Sequence, residues 1–216
     1  MALVLGMLLP GSARAVAADA MKTIKAVVHK YQAAQGTKSS IQRTIKITML
    51  DQTKTSSGEL ALSKGRLRMD ISAPDETTVV FDKKLVWVIT PTPKELGGRL
   101  QVLKVKTSDI DRQSQAPIAL LLGDQKAWNL FKVKSQKKSG DVLSVSLAKK
   151  KKSDSGVQGI DLQINVKNST IQSLAYSDEL DNSTKFDFSK TDFSAKLPDS
   201  IFTYTPPSGA EVTEFK

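Results

Sequence analysis

The sequence contains no cysteine and only one histidine, His29. Without cysteine there is no disulfide scaffold, no thiolate zinc site and no cysteine nucleophile. A bacterial lipoprotein anchor is excluded too, because it is built on a cysteine that follows the signal peptide. With one histidine, the usual general base is all but missing. His29 has no second imidazole to share a metal with, and it reads as an ordinary helix residue. No apolar run is long enough to span a bilayer. G-x-S-x-G, H-E-x-x-H, a P-loop and a glycine-rich dinucleotide fingerprint are all absent. The carboxylates are scattered over strand ends and turns. No catalytic residue, metal ligand or cofactor site is therefore expected, and the chain reads as a binding protein rather than an enzyme.

What is present is enough for a packed core. The 216 residues are 39% hydrophobic and 25% charged, within the range of a single globular domain. Lysine and arginine outnumber aspartate and glutamate by 32 to 22, a net charge of +10. Such a surface favours anionic partners: nucleic acid, an acidic membrane or an acidic protein patch.

The first twenty residues, MALVLGMLLPGSARAVAADA, form a segment of their own. Leu3 to Leu9 is a short apolar run, followed by Pro10, Gly11 and small residues. Ala13-Arg14-Ala15 has the form of a signal-peptidase site, with Ala15-Val16-Ala17 and Ala18-Asp19-Ala20 as alternatives. Residues 1–15 are expected to be an export signal, with cleavage as late as residue 20. Residues 16–216 are expected to form one domain outside the cytoplasm.

From Met21 to Ala34 the pattern is helical. Ile24, Val27, Val28, Tyr31 and Ala34 recur at three- and four-residue spacing. Asp19 is the expected cap and Gly36 the expected stop. Ser40 to Leu50 is then expected as a strand, with Ile41, Ile45, Ile47 and Met49 on one face. Arg43 shares that face. An arginine there is costly unless it reaches water or bonds something inside.

Ser57 to Thr90 organises the chain. Leu60 and Leu62 alternate with Glu59, Ala61 and Ser63, and Leu67, Met69 and Ile71 alternate with Arg66, Arg68 and Asp70. Lys64-Gly65 and Ala73-Pro74-Asp75 are turns. Beyond them Val79, Val80, Phe81 and Leu85 to Ile89 are apolar on both faces. An antiparallel sheet normally keeps one face polar, so this strand pair needs two apolar neighbours. The second is either a cavity or an ordinary sandwich core.

Residues 107–131 are expected to turn helical, with Pro117 to Leu122 as a short apolar helix. The remainder returns to strands. Leu143, Val145 and Leu147 alternate with serines, Ile160, Leu162 and Ile164 with polar residues, and Phe186 and Phe188 with charges. This spacing implies a meander sheet or barrel.

The ending Phe202-Thr203-Tyr204-Thr205-Pro206-Pro207-Ser208-Gly209-Ala210-Glu211-Val212 matches F-x-[FY]-x-P-P-x-G-x-x-V. Asp82-Lys83-Lys84-Leu85-Val86-Trp87 is similar to a D-G-x-x-[LV]-W turn. Gly58-Glu59-Leu60 with Ser63 to Met69 is similar to G-x-[LF]-x-[LV]-x-[KR]-P-x-x-[FL]-x-W. Ala116 to Leu121 is similar to a helical insert. Together and in this order, they resemble the outer-membrane lipoprotein carrier family, LolA.

That resemblance implies a mainly β, α+β fold: an unclosed antiparallel half-barrel with a helical lid over an apolar cavity. It implies a periplasmic carrier of acylated lipoproteins. Cargo would come from an inner-membrane LolCDE-type ABC transporter and pass to an outer-membrane acceptor where one exists. Neither nucleic acid nor a second subunit is expected. The lipid cavity is expected to be lined by Ile41, Ile45, Leu60, Leu62, Leu67, Met69, Trp87, Ile89, Pro117, Ile118 and Leu121. Many members of the family tie the lid shut with an arginine that precedes a proline. Lys64 stands at that position here and Gly65 replaces the proline, so Lys64 and Arg43 are the two candidate latches. The alternatives are a related half-barrel binding another lipid or glycolipid, or a basic polyanion-binding surface protein.

Overall fold

A computed structural model describes residues 11–107, 128–150 and 156–215. The helical insert, with Pro117, Ile118 and Leu121, lies outside the described residues. Among the described residues one α-helix, α1 (Gly11–Ala33), precedes a single sheet of twelve strands. The N-terminal half supplies β1 (Thr37–Ile47), β2 (Gln52–Ser63), β3 (Arg66–Ile71), β4 (Thr77–Phe81), β5 (Leu85–Pro91) and β6 (Leu100–Lys106). After the insert come β7 (Phe131–Ser139), β8 (Val142–Lys149), β9 (Gly159–Asn165), β10 (Thr170–Ser177), β11 (Ser183–Asp192) and β12 (Glu211–Phe215). The spatial order is β12-β6-β5-β4-β3-β2-β1-β11-β10-β9-β8-β7. The edge strands β12 and β7 do not pair with each other, so the sheet is an unclosed half-barrel.

The period-2 pattern becomes alternating burial where it is cleanest. Leu143, Val145 and Leu147 of β8, and Ile160, Leu162 and Ile164 of β9, are all buried between more exposed neighbours. Their face is the inner one, packed with Ile24, Val27, Val28 and Tyr31 of α1 in one apolar cluster. Tyr31 fixes the helix to the sheet. Its hydroxyl accepts a hydrogen bond from the Ile171 N–H at 3.1 Å, beside a bulge in β10. Burial pushes the Tyr31 phenol pKa up, against the pull of its hydrogen bonds.

Four expectations change. The helix begins at Gly11, so Asp19 lies within it and does not cap it. It ends at Ala33, and Gly36 instead forms an isolated parallel bridge to Ser194. A Cβ at Gly36 would collide with the Ala195 carbonyl, so this crossing of two backbones needs glycine. Strand β1 stops at Ile47. A 3-10 turn over Thr48–Leu50 then turns Met49 out to 82% exposure. Finally, the sheet is not wholly antiparallel, because β12 pairs with β6 in parallel.

That parallel pair follows from the path of the C-terminal segment. Strand β11 lies beside β1 and β12 at the far edge, seven strand spacings or roughly 30 Å away. Residues 193–210 make the crossing on the outer face, and Arg66 and Arg68 of β3 hold them there. Arg66 pairs with Asp199, and its guanidinium lies 4.6 Å from the centroid of the Phe202 ring. Arg68 grips Asp70 with two hydrogen bonds and donates a third to the Ile201 carbonyl at 3.3 Å. Phe202 is completely buried.

Two turns use backbone conformations that side chains seldom adopt. Ser63 pairs with Arg66, so Lys64-Gly65 is a two-residue hairpin turn, with φ of +51° and +73°. Two consecutive positive φ angles are the signature of a type I′ turn. A proline at Gly65 could not take that angle, which accounts for the departure from the family pattern at this position. Lys83, standing where the D-G-x-x-[LV]-W pattern has glycine, has a φ of +86°.

Candidate functional site

Strand register sorts the candidate residues onto two faces. Leu60 lies opposite Met69 and Leu62 opposite Leu67. Leu67 continues to Phe81 and Met69 to Val79 on β4, and these continue to Val86 and Val88 on β5. On the other side of β2, Leu60 and Leu62 meet Ser39 and Thr37, which share their face with Ile41, Arg43 and Ile45. Ile41 and Arg43 in turn lie opposite Phe188 and Phe186. All of these belong to the inner face.

Trp87 and Ile89 do not. Trp87 pairs with Val80 and Lys104, one residue out of step with the inner row. With Val80, Ile89 and Val102 it forms a separate buried cluster on the outer face. The C-terminal segment covers that cluster. The Tyr204 ring lies 5.5 Å from the Trp87 ring, and Lys104 Nζ lies 5.6 Å from the Trp87 ring centroid. The second apolar face of β4 and β5 is therefore an interior closed by the chain's own tail. It is not a cavity wall. The sequence showed that both faces were apolar, but periodicity cannot say which face looks inward.

The inner face is only partly covered. Ile41, Leu60, Leu62 and Leu67 are buried. Met69, Phe81, Val86, Val88, Phe186 and Phe188 pack against the same cluster yet stay partly exposed. Val86 and Val88 occupy the positions expected of Trp87 and Ile89. Phe186 and Phe188, absent from the sequence-derived cavity, lie with ring centroids 6.4 Å apart. This is a band of apolar side chains on one side of an open sheet, with Arg43 as the charged residue at its end.

Among the described residues Arg43 makes one hydrogen bond there: a guanidinium nitrogen, Nη2, donates to the Asp75 carbonyl at 3.0 Å, and Nε is buried without a partner. With Ile45, Pro74, Thr77, Pro91 and Lys94 it lines a depression of about 650 Å³ between the β3–β4 and β5–β6 loops. Tyr176 is close to it. Burial raises the Tyr176 pKa, while the Thr184 hydrogen bond and the Arg43 charge pull it back. Lys64 sits elsewhere, exposed in the β2–β3 turn. It lines a second depression of about 620 Å³ with Gln35, Ser63 and residues 195–199. The two candidate latches thus lie apart, Lys64 in the turn at one end of the β1–β2 pair and Arg43 near the middle of β1. Neither meets the other. His29 is exposed on α1, and no cluster of potential metal ligands occurs among the described residues.

Residues 33–205 match the family model described as outer membrane lipoprotein carrier protein LolA. The chain belongs to this family. The outer-membrane lipoprotein carrier protein of Dechloromonas aromatica is 28% identical over 158 residues, covering 73% of this chain and 71% of that protein. The one from Methylobacillus flagellatus is 24% identical over 211 residues, covering 97% of this chain and 95% of that protein. Among solved structures, an uncharacterized conserved protein from Thermus thermophilus superposes with a TM-score of 0.52 at 11% identity. That match covers 91% of this chain and 99% of the other, and shows a shared fold. Two of the LolA-like motifs meet in space. The ending supplies Phe202 and Tyr204, and the Asp82-to-Trp87 turn supplies the tryptophan against which Tyr204 packs.

Proposed function

We propose that this protein carries acylated lipoproteins through the periplasm, with their acyl chains against the inner face of the half-barrel. It takes cargo from an inner-membrane LolCDE-type transporter and passes it to an outer-membrane acceptor where one exists. It acts as a monomer, by sequestration and without a chemical step. Residues 1–15 are its export signal. The observation that carries the reading is the partly exposed inner band of Met69, Phe81, Val86, Val88, Phe186 and Phe188. Each buried CH₂ of an acyl chain contributes about 0.8 kcal/mol, so a lipoprotein does not leave a bilayer unless its chains are covered.

Arg43 is the better candidate for a latch. It already donates to a loop carbonyl, and it holds an unused buried donor beside the inner face. Its forked guanidinium can keep one partner while taking another. Lys64, exposed in a hairpin turn, has no such position.

The test is release of a purified triacylated lipoprotein from spheroplasts. The mature protein should bring the lipoprotein into the supernatant as a soluble one-to-one complex. Lipoprotein that stays with the membrane in the presence of folded protein refutes the carrier reading.

A further inference from the structure

We propose that one rim of the half-barrel, built from Lys64, Lys83, Lys84, Lys106 and Lys196, is a docking surface for an anionic lipid bilayer. This goes beyond the carrier reading and does not depend on it. Lys64 lies in the β2–β3 turn, Lys83 and Lys84 in the β4–β5 turn, and Lys106 at the end of β6. All three sites belong to the same end of the sheet. The Thr107 N–H donates to the Lys84 carbonyl at 2.9 Å, which ties the end of β6 to the β4–β5 turn. The Lys83 side chain reaches across to Gly65, where its Cε lies 3.6 Å from the site of a Cβ. The C-terminal segment rounds the same end and brings Lys196 to the depression that Lys64 lines.

All five lysines are exposed. Two carboxylates, Asp82 and Asp199, also lie at this rim, fewer than the five lysines. Asp82 accepts the backbone N–H groups of Lys84 and Leu85, both at 2.8 Å, and Asp199 pairs with Arg66. Strands β2 to β6 are neighbours, so the row spans about 20 Å. At that spacing the lysine fields overlap within two Debye lengths. The row also follows one edge of a sheet, a geometry that lets every ammonium meet a flat surface at once.

The opposite end carries both signs. There the β1–β2 and β10–β11 tips are joined, with Thr48 donating to Asn182 Oδ1 and to the Asp181 carbonyl. These tips carry Asp51, Asp178, Glu179 and Asp181, and the β5–β6 and β8–β9 connections at this end carry Lys94, Arg99, Lys149 and Lys150. An anionic bilayer engages the rim where the exposed lysines stand in one row, and the row sets the orientation. A polyanion in solution has no need of such a row.

The experiment is vesicle flotation of the mature protein. Vesicles of phosphatidylcholine with about one-third phosphatidylglycerol are compared with phosphatidylcholine alone. The protein should float with the anionic vesicles and not with the neutral ones, and binding should fall as salt rises. K83Q/K84Q/K106Q/K196Q should weaken binding more than tenfold, with its melting curve unchanged. An equal charge loss toward the opposite end of the sheet, K132Q/K134Q/K149Q/K150Q around β7 and β8, should leave binding within about twofold. The proposal is overturned if the two variants lose binding alike, since net charge alone would then explain it. It is equally overturned if neither variant loses binding, or if the parent ignores anionic vesicles while binding heparin. Vesicles without lipoprotein contain no cargo, so these outcomes are independent of lipoprotein release.

Discussion

Trp87 and Val88 are adjacent in sequence and belong to different interiors, which makes them a direct test of the face assignment. Trp87 is 7% exposed and packs under Tyr204 in the outer cluster. Truncating a buried tryptophan to alanine costs about 3–5 kcal/mol in lost burial and residual cavity. The neighbouring ring adds roughly another 0.5–1.5 kcal/mol to what is lost. In a domain of this size each kcal/mol moves the melting temperature by about 2–4 °C. Trp87→Ala should therefore lower it by roughly 10 °C or more. Lipid loading of the protein that remains folded should be unchanged, because no inner-face contact is removed. Val88 is half-buried beside Val79 on the inner face. Val88→Asn should cost about 1 kcal/mol and markedly reduce lipoprotein release. Stability is read by urea unfolding followed by circular dichroism, and loading by the spheroplast assay at a temperature where both variants are folded. The reasoning fails if Trp87→Ala costs less than about 1.5 kcal/mol, or if it abolishes loading while Val88→Asn leaves loading intact.

Arg43→Leu should leave folding nearly intact and allow loading, while hand-over to an acceptor fails. Normal hand-over by this variant would remove the latch. Arg66→Met and Phe202→Leu should couple by about 1 kcal/mol in a double-mutant cycle; simple additivity would mean that the stacked geometry contributes nothing. Lys83→Gly should raise stability by up to about 1 kcal/mol, since a side chain at φ of +86° is strained and glycine is not; a measured loss would show that the turn is not strained. The hydrogen bond and charge of Arg66, with a further contribution from Lys64, hold the Asp199 pKa below its usual value. A lowered folded-state pKa gives stability above the unfolded value near 3.8 that disappears as pH falls through the folded one. Asp199→Asn should thus flatten the acid side of the stability profile below about pH 4, and an unchanged acid limb would count against the pair.

The sequence alone was enough to recognise a mainly β sheet, its strands and the amphipathic face of α1. Period-2 alternation survives into burial almost residue for residue in β8 and β9, because one face of each strand is closed and the other wet. The order of motifs was enough to suggest the family. The inner positions Leu60, Leu62, Leu67 and Met69 were legible because their alternation with polar residues leaves one choice. Strand β5 has no such contrast. Val86, Trp87, Val88 and Ile89 are all apolar, and local pattern assigns no side to any of them. The tertiary structure decided it through a contact distant in sequence, when the C-terminal segment brought Tyr204 across the outer face to Trp87. The same crossing made β12 a parallel strand and gave Arg66 and Arg68 their partners. Local periodicity records what a residue must be buried against, water or apolar atoms. Which apolar atoms, and on which side, depends on where the chain returns.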